Sequence, residues 1–409
     1  MTLPFDFYDL PDEVVRARLD RAKRQGAWLW PDIPVADWRK ALESIQRVAG
    51  TLLIGRGHPD LTGEPSAIAL ACYTSGMGPL LGWWHAKGHL EASDEISPML
   101  ALHLEHNRCR SRKMRDAASS LTETLEKRGI GVVVLKGADT ASRYFPEPET
   151  RPASDIDLLV EANNAAEAED SLRLADYRLV KRSRRESDWR LSGIGDQPRS
   201  LMLVHAEDPW SVDLHVSLNV ELAAGAGVLD FDAASLFQHA PMETGFIGRR
   251  LSQPLLLVYL AAHASTGLHN LSLLRMVELH LVIAKDEKCG ELDWNRFLAL
   301  CRKLQALAVV WPALKLTEDL ARGTVPEYVL RECSDAAPSR VRAIVNSLTP
   351  ATAHRVGHTS IREHFMWAAG VRQIMRQLAA DLIPGSSWQD IRRIYTRRVW
   401  QVARGSITR

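Results

Sequence analysis

Three textures follow one another along the 409-residue chain. Between residues 35 and 54, Trp38, Leu42, Ile45 and Val48 recur at helical spacing. The tract 96–129 carries helical periodicity through one long helix or two, closed by Gly129 and Gly131. Residues 11–25 have few apolar positions behind Pro11 and read as a largely exposed helix. Near residue 130 the pattern shortens. "IGVVVLKG" (130–137) is a β-branched run stopped by Gly137, and "ADTASRYF" (138–145) can make about two helical turns. A loop holding Pro146, Pro148 and Pro152 leads into "SDIDLLVE" (154–161), a second strand. A helix follows at 163–175 with an Asn cap, then strands at 177–181, 200–206 and 211–218. Beyond about residue 250 the spacing of three and four returns at 252–265, 270–285, 293–306 and 309–321, and a basic helix is expected at 387–405. The pattern predicts a helical region over 1–129, an α+β core around a mixed sheet over 130–250, and a second helical region over 251–409.

One feature breaks the apolar logic of the core. Asp155 and Asp157 lie two apart in a strand, so they share a face. Adjacent carboxylates near a core repel unless a cation sits between them, and oxygen ligands of this kind suit Mg²⁺. "SVDLHVSL" puts Asp213 on a later strand, with Val212, Leu214 and Val216 facing the other way. If the two strands are neighbours, three carboxylates converge, a set able to hold two metals about 3.5–4 Å apart for in-line phosphoryl chemistry. His215 shares the face of Asp213 and stands behind the ligands. The turn at Lys136–Gly137 follows a strand and precedes a short helix, a place where backbone N–H groups bind phosphate. Lys136 and Arg151 add cations for it, and Ser154 sits directly before the first aspartate.

The run "LKGADTASRYFPEPETRPASDIDLLV" (135–160) resembles the uncharacterised nucleotidyltransferase family of the polymerase-β-like superfamily. The resemblance rests on Lys136-Gly137, Asp155-x-Asp157 and Asp213, covers about 131–218, and extends more weakly to His263 and Glu278, the latter standing where an aspartate is usual. It implies a polymerase-β-like nucleotidyltransferase sheet, Mg²⁺, and a nucleoside triphosphate, with ATP the expected donor. It implies transfer of a nucleotidyl group to an acceptor and release of pyrophosphate. Asp155, Asp157 and Asp213 would then be the catalytic metal ligands. Lys136, Gly137, Arg151, Ser154, His215, His263 and Glu278 would bind substrate. The acceptor stays open among small molecule, peptide and protein.

Composition narrows the partners. A net charge of +1 provides no global field to recruit nucleic acid, which is not the expected partner. The apolar runs fall short of the roughly 20 residues a membrane span needs, and the acidic start does not read as a targeting signal. Five scattered cysteines without CxxC fit reduced thiols, so a soluble cytoplasmic protein is expected. Blander readings stand beside the chemical one. Asp155 and Asp157 can end a strand that caps a helix or meets Arg143 and Arg151. The basic tract 178–190 can close over a triphosphate or meet an acidic acceptor but reads first as a solvated hairpin, and Arg392, Arg393, Arg397 and Arg398 read as an exposed helix face before an RNA or acidic-protein contact. The twelve tryptophans are expected mostly in helical cores. At the level of function, two alternatives are a catalytically weak nucleotide-binding regulatory or scaffold module, and a kinase on the same fold.

Overall fold

The computed structural model describes residues 28–30 and 33–354, apart from 184, 196–197, 201, 223–226, 230, 232–236, 238–239 and 241–247, together with residues 11, 13, 14, 17, 365–368, 371, 372, 374, 375 and 378. Most of the helix expected at 11–25, and all of the basic helix at 387–405 with its arginines, lie outside the described residues.

The first helices are α1 (Val35–Leu53), α2 (Pro65–Ser75), α3 (Gly78–Ala86) and α4 (Ser97–Lys127). In α1 the four residues of the helical stripe, Trp38, Leu42, Ile45 and Val48, are all buried. Burying each such side chain contributes about 1.5–3 kcal/mol. The tract 96–129 is one helix, and the chain leaves it through Gly129 at φ 78, a left-handed exit that suits glycine. Its inner face mixes apolar Met99, Leu104, Met114, Leu121 and Leu125 with buried His103, Asn107 and Arg110. Of the polar members, Asn107 and Arg110 bond loops of the sheet. Asn107 donates to the Glu149 carbonyl at 2.5 Å.

The core sheet has five strands: β1 (Val133–Val134), β2 (Asp155–Leu159), β3 (Tyr177–Arg182), β4 (Glu186–Leu191) and β5 (Ser211–His215), in the order β1-β2-β5-β4-β3. β2 and β5 run parallel and the other neighbours antiparallel, so the sheet is mixed. Helix α5 (Lys136–Tyr144) follows β1, and α6 (Ala165–Leu174) follows β2. Side-chain alternation divides the sheet cleanly. Ile156, Leu158, Val212, Leu214 and Trp189 pack with Leu121, Leu125 and Leu172 in one apolar cluster against α4 and α6. The opposite face carries the acids, with Leu159 joining the larger apolar cluster beside them. That face is covered by α7 (Leu255–Thr266) and α8 (Leu273–Lys288); α9 (Trp294–Lys303) and α10 (Leu307–Leu320) extend the second helical region. The architecture is α+β, with helical regions at both ends of a mixed five-stranded sheet.

The sheet departs from the sequence pattern in two strands. Residues 202–206 form no strand. The Ser200 hydroxyl accepts from the amides of Met202 and Leu203, and the Asp208 carboxylate from those of Arg199 and His205, so side chains replace a ladder there. The missing strand is β4, within the tract expected as a solvated hairpin. It is a hairpin, but Ser187 and Trp189 are buried. Three local details also differ. Asn164 lies in the right-handed helical region, at the end of a 3₁₀ turn, and makes no cap hydrogen bond. The proline-rich loop holds one 3₁₀ turn, Pro148–Thr150. Trp28 and Trp30 lie in a short strand paired with Ile33–Pro34, not in a helix.

Candidate active site

The register decides the site. Asp157 on β2 stands directly opposite Asp213 on β5, Asp155 opposite Ser211, and Leu159 opposite His215. Asp155, Asp157, Asp213 and His215 therefore share one face, as strand alternation requires. One cleft of about 650 Å³ lies over that face, and all ten residues singled out in the sequence line it: Lys136, Gly137, Arg151, Ser154, Asp155, Asp157, Asp213, His215, His263 and Glu278.

Two cations expected to meet phosphate are held by carboxylates of the chain. Lys136 Nζ lies 2.8 Å from Asp157 Oδ1, and His215 Nε2 lies 2.9 Å from the same oxygen. Lys136 has φ 38, a left-handed conformation that costs a non-glycine residue roughly 1–3 kcal/mol and that collects at functional turns. Burial alone would raise the Asp157 carboxyl; Lys136 and His215 more than offset it and hold it well below the usual carboxylate range. Arg151 forms a two-pronged pair with Glu278 of α8, Nε to Oε1 at 2.8 Å and Nη2 to Oε2 at 3.0 Å. Thr140 of α5 also donates to Glu278. Burial opposes the Glu278 charge, and Arg151 outweighs it to lower the carboxyl below its ordinary value. Gly137 leaves room for this pair: a Cβ there would lie 2.6 Å from Arg151 Nη1, so the guanidinium would have to shift.

The other acids lack such compensation. Burial, then Asp157 and Asp155, push the Asp213 carboxyl up to about 7. Its Oδ1 is buried and has no hydrogen-bond partner among the described residues. Asp155 is also raised, by burial and by Asp157, against the opposing charges of Lys136 and Arg151. Atoms of Asp157, Asp213 and His215 come within 4.8 Å of one another, a group that can hold a metal ion. Two carboxylates, one with an orphaned oxygen, fit a divalent cation. Asp155, expected as a third ligand, lies beside this group and not in it, whereas His215 is within ligand reach. Ser154 is exposed, and its carbonyl accepts from the Ser211 amide at 3.2 Å, joining the entries of the two acid-bearing strands.

A family model described as uncharacterised nucleotidyltransferase matches residues 78–322, more than half of the chain. The chain belongs to that family. No curated protein and no solved structure matches it. The fold is thus the α+β nucleotidyltransferase fold, and family membership supports nucleotidyl transfer as the general chemistry. The matched residues run from α3 through α10, so the helices over the cleft belong to the family match along with the sheet. Among the described residues, no helix is long and apolar enough to cross a membrane.

Several residues of this candidate site are not singled out by the sequence. Arg110, buried in α4, donates to the Ala153 carbonyl just before β2 and to the Asp208 and Pro209 carbonyls just before β5, at 3.4 and 3.1 Å. It staples the entries of both acid-bearing strands. Asp188 on β4 stands opposite Asp213 in the ladder, extending the acid row across a third strand. Arg275 on α8 donates to His263 Nδ1 at 2.7 Å, and Arg185 to the Asn219 carbonyl at 2.7 Å; both line the cleft. Helical spacing offers a signal for Arg275 alone, which lies three residues before Glu278 on the same face.

Proposed function

We propose that this protein moves a nucleotidyl group from a nucleoside triphosphate, ATP being the expected donor, to an acceptor hydroxyl or phosphate. Asp157 and Asp213 would hold Mg²⁺, with Asp155 beside them and His215 in reach. The observation that carries the reading is the in-register pair Asp157 and Asp213, with an orphaned oxygen of Asp213 facing a cleft that begins at the Lys136–Gly137 turn. When bound, divalent metal supplies charge neutralisation for the triphosphate and lowers the pKa of an attacking hydroxyl. The acceptor oxygen bonds to the α-phosphorus, the bond to the bridging oxygen breaks, and pyrophosphate leaves. In this reading Asp213 takes the hydroxyl proton. Lys136 holds Asp157 ionised and in place through its 2.8 Å contact. Arg110 sets the relative height of the two acid-bearing strands through their preceding carbonyls. The covering helices α7 and α8 keep bulk water from the acid face and form the wall on which an acceptor rests.

The test is transfer of label from α-labelled nucleoside triphosphates across a panel of small-molecule, peptide and protein acceptors with Mg²⁺, beside pyrophosphate release. Label on an acceptor, lost in Asp157→Ala, supports the reading; label reaching acceptors only from the γ-position would assign a kinase instead. A second reading, a nucleotide-binding module with weak turnover, draws on one observation. Lys136 and Arg151 are both occupied by carboxylates of the chain itself. Nucleotide binding without pyrophosphate release, unchanged by the acceptor supplied, would favour it.

A further inference from the structure

With Lys136 and Arg151 committed to Asp157 and Glu278, the cleft needs another cation for a triphosphate. We infer that Arg275, aimed by His263, is the residue that grips the triphosphate of the donor. The inference rests on the nucleotidyl-transfer reading and adds to it the residue that recognises the polyanion.

Arg275 lies in the first turn of α8, half-buried, and lines the cleft with Tyr259 and His263 of α7. One amino group donates to His263 Nδ1 at 2.7 Å. Among the described residues the guanidinium forms no ion pair, and its charge acts at Asp155, Tyr259 and Glu278. It therefore stands over the acid face without being neutralised by it. Arg185, the remaining cleft arginine, spends an amino group on the Asn219 carbonyl and sits at the hairpin side beside Glu186.

His263 fixes which way the fork points. To accept through Nδ1 the ring must be neutral, with its proton on Nε2. Burial, reinforced by the charges of Lys136 and Arg275, keeps it so. A guanidinium held at one nitrogen presents its other N–H donors in a plane, and a planar fork matches two oxygens of a phosphate chain. A lysine would deliver charge but not that geometry. His263 is thus a positioning residue that acts through Arg275.

Equilibrium binding to the full chain with Mg²⁺ and no acceptor tests this, using ATP and inorganic tripolyphosphate as probes. Wild type binds both, and Arg275→Gln weakens both by at least about tenfold, the loss expected when charged hydrogen bonds are removed. His263→Ala weakens both to a smaller extent. His263→Asn, whose amide oxygen can take the place of Nδ1, recovers most of the affinity. Melting temperatures report whether each variant is folded. If Arg275→Gln does not fold, Arg275→Lys carries the test, since it keeps charge but loses the fork and should still weaken both probes. Equal binding by wild type and a folded Arg275 variant overturns the inference, as does weakened ATP binding with tripolyphosphate unaffected. A wild type that binds neither probe with Mg²⁺ instead removes the nucleotidyl-transfer reading beneath it.

Discussion

Glu278 joins the sheet side of the cleft to its helical cover, and its removal has a calculable cost. The carboxylate is 4% exposed and takes both prongs of Arg151 at 2.8 and 3.0 Å. Without it the guanidinium keeps, among the described residues, one 3.4 Å hydrogen bond to the Pro152 carbonyl and the weaker pull of the Asp155 and Asp157 charges. Breaking one partner of a buried pair costs about 3–5 kcal/mol, because the other charge is left buried and unmatched. At about 2–4 °C per kcal/mol for a unit of this size, Glu278→Ala lowers the melting temperature by roughly 6–20 °C. Arg151→Met strands the carboxylate instead and falls in the same range. The double variant Arg151→Met/Glu278→Leu removes both charges and fills the space with apolar atoms, so its cost is less than that of either single change. The assay is urea unfolding followed by tryptophan fluorescence on wild type, Arg151→Met, Glu278→Leu and their double variant, which close a double-mutant cycle, with Glu278→Ala measured beside them. A coupling of at least about 2 kcal/mol is expected. Additive single effects, or a Glu278→Ala loss under about 1 kcal/mol, would refute the buried-pair argument.

Arg110→Met keeps the packing of the side-chain stem but releases the carbonyls of Ala153 and Pro209; turnover falls by about a hundredfold through misplaced acids while nucleotide affinity holds, and steady-state kinetics that match wild type would count against the staple. Asp213 carries a raised carboxyl, so the metal-free folded state binds more protons than the unfolded chain between the ordinary aspartate value and about 7. Stability with chelator therefore falls as pH rises through that window, and Mg²⁺ or Asp213→Asn flattens the slope; melting curves from pH 4 to 8 that rise instead would show the sign to be wrong.

The acid row was legible because it depends on local period. Asp155 and Asp157 sit two apart, and Val212 and Leu214 flank Asp213, so strand alternation puts the acids on one face before any tertiary contact is known. What stayed hidden depends on contacts between distant segments. Arg151 meets Glu278 at a separation of 127 residues, and no periodicity links a proline-rich loop to a helix that far along the chain. A resemblance supplies Glu278 and the sequence offers Arg151 as a cation for phosphate, but that the two pair with each other is visible only in the folded chain. The β4 strand hid for another reason. "ESDWRL" is mostly polar, and only Ser187 and Trp189 face inward, whereas "SLMLVHA" has the composition of a strand but is turned by the hydroxyl of Ser200. Composition reports what a pleated surface favours; side-chain capping of the backbone decides which segment uses it.

The charges lining the cleft constrain how a nucleotide enters. Lys136, Arg151, Arg185 and Arg275 face Asp155, Asp157, Asp213, Glu186 and Glu278, so the four cations are outnumbered by five carboxylates when all are ionised. A bare triphosphate entering this field meets like charge at the acid row, and low dielectric magnifies the repulsion. Metal bound to the carboxylates or carried on the triphosphate reverses the sign where the phosphates must lie, leaving Arg275 free of competition from the acids below it. Nucleotide affinity should therefore collapse in chelator and return with Mg²⁺. In Asp213→Asn, which removes one repelling charge along with one ligand, part of the metal-free affinity should reappear. Chelator-resistant binding by the wild-type chain equal to that in Mg²⁺ would mean that the cations alone suffice and that the acid row does not govern entry.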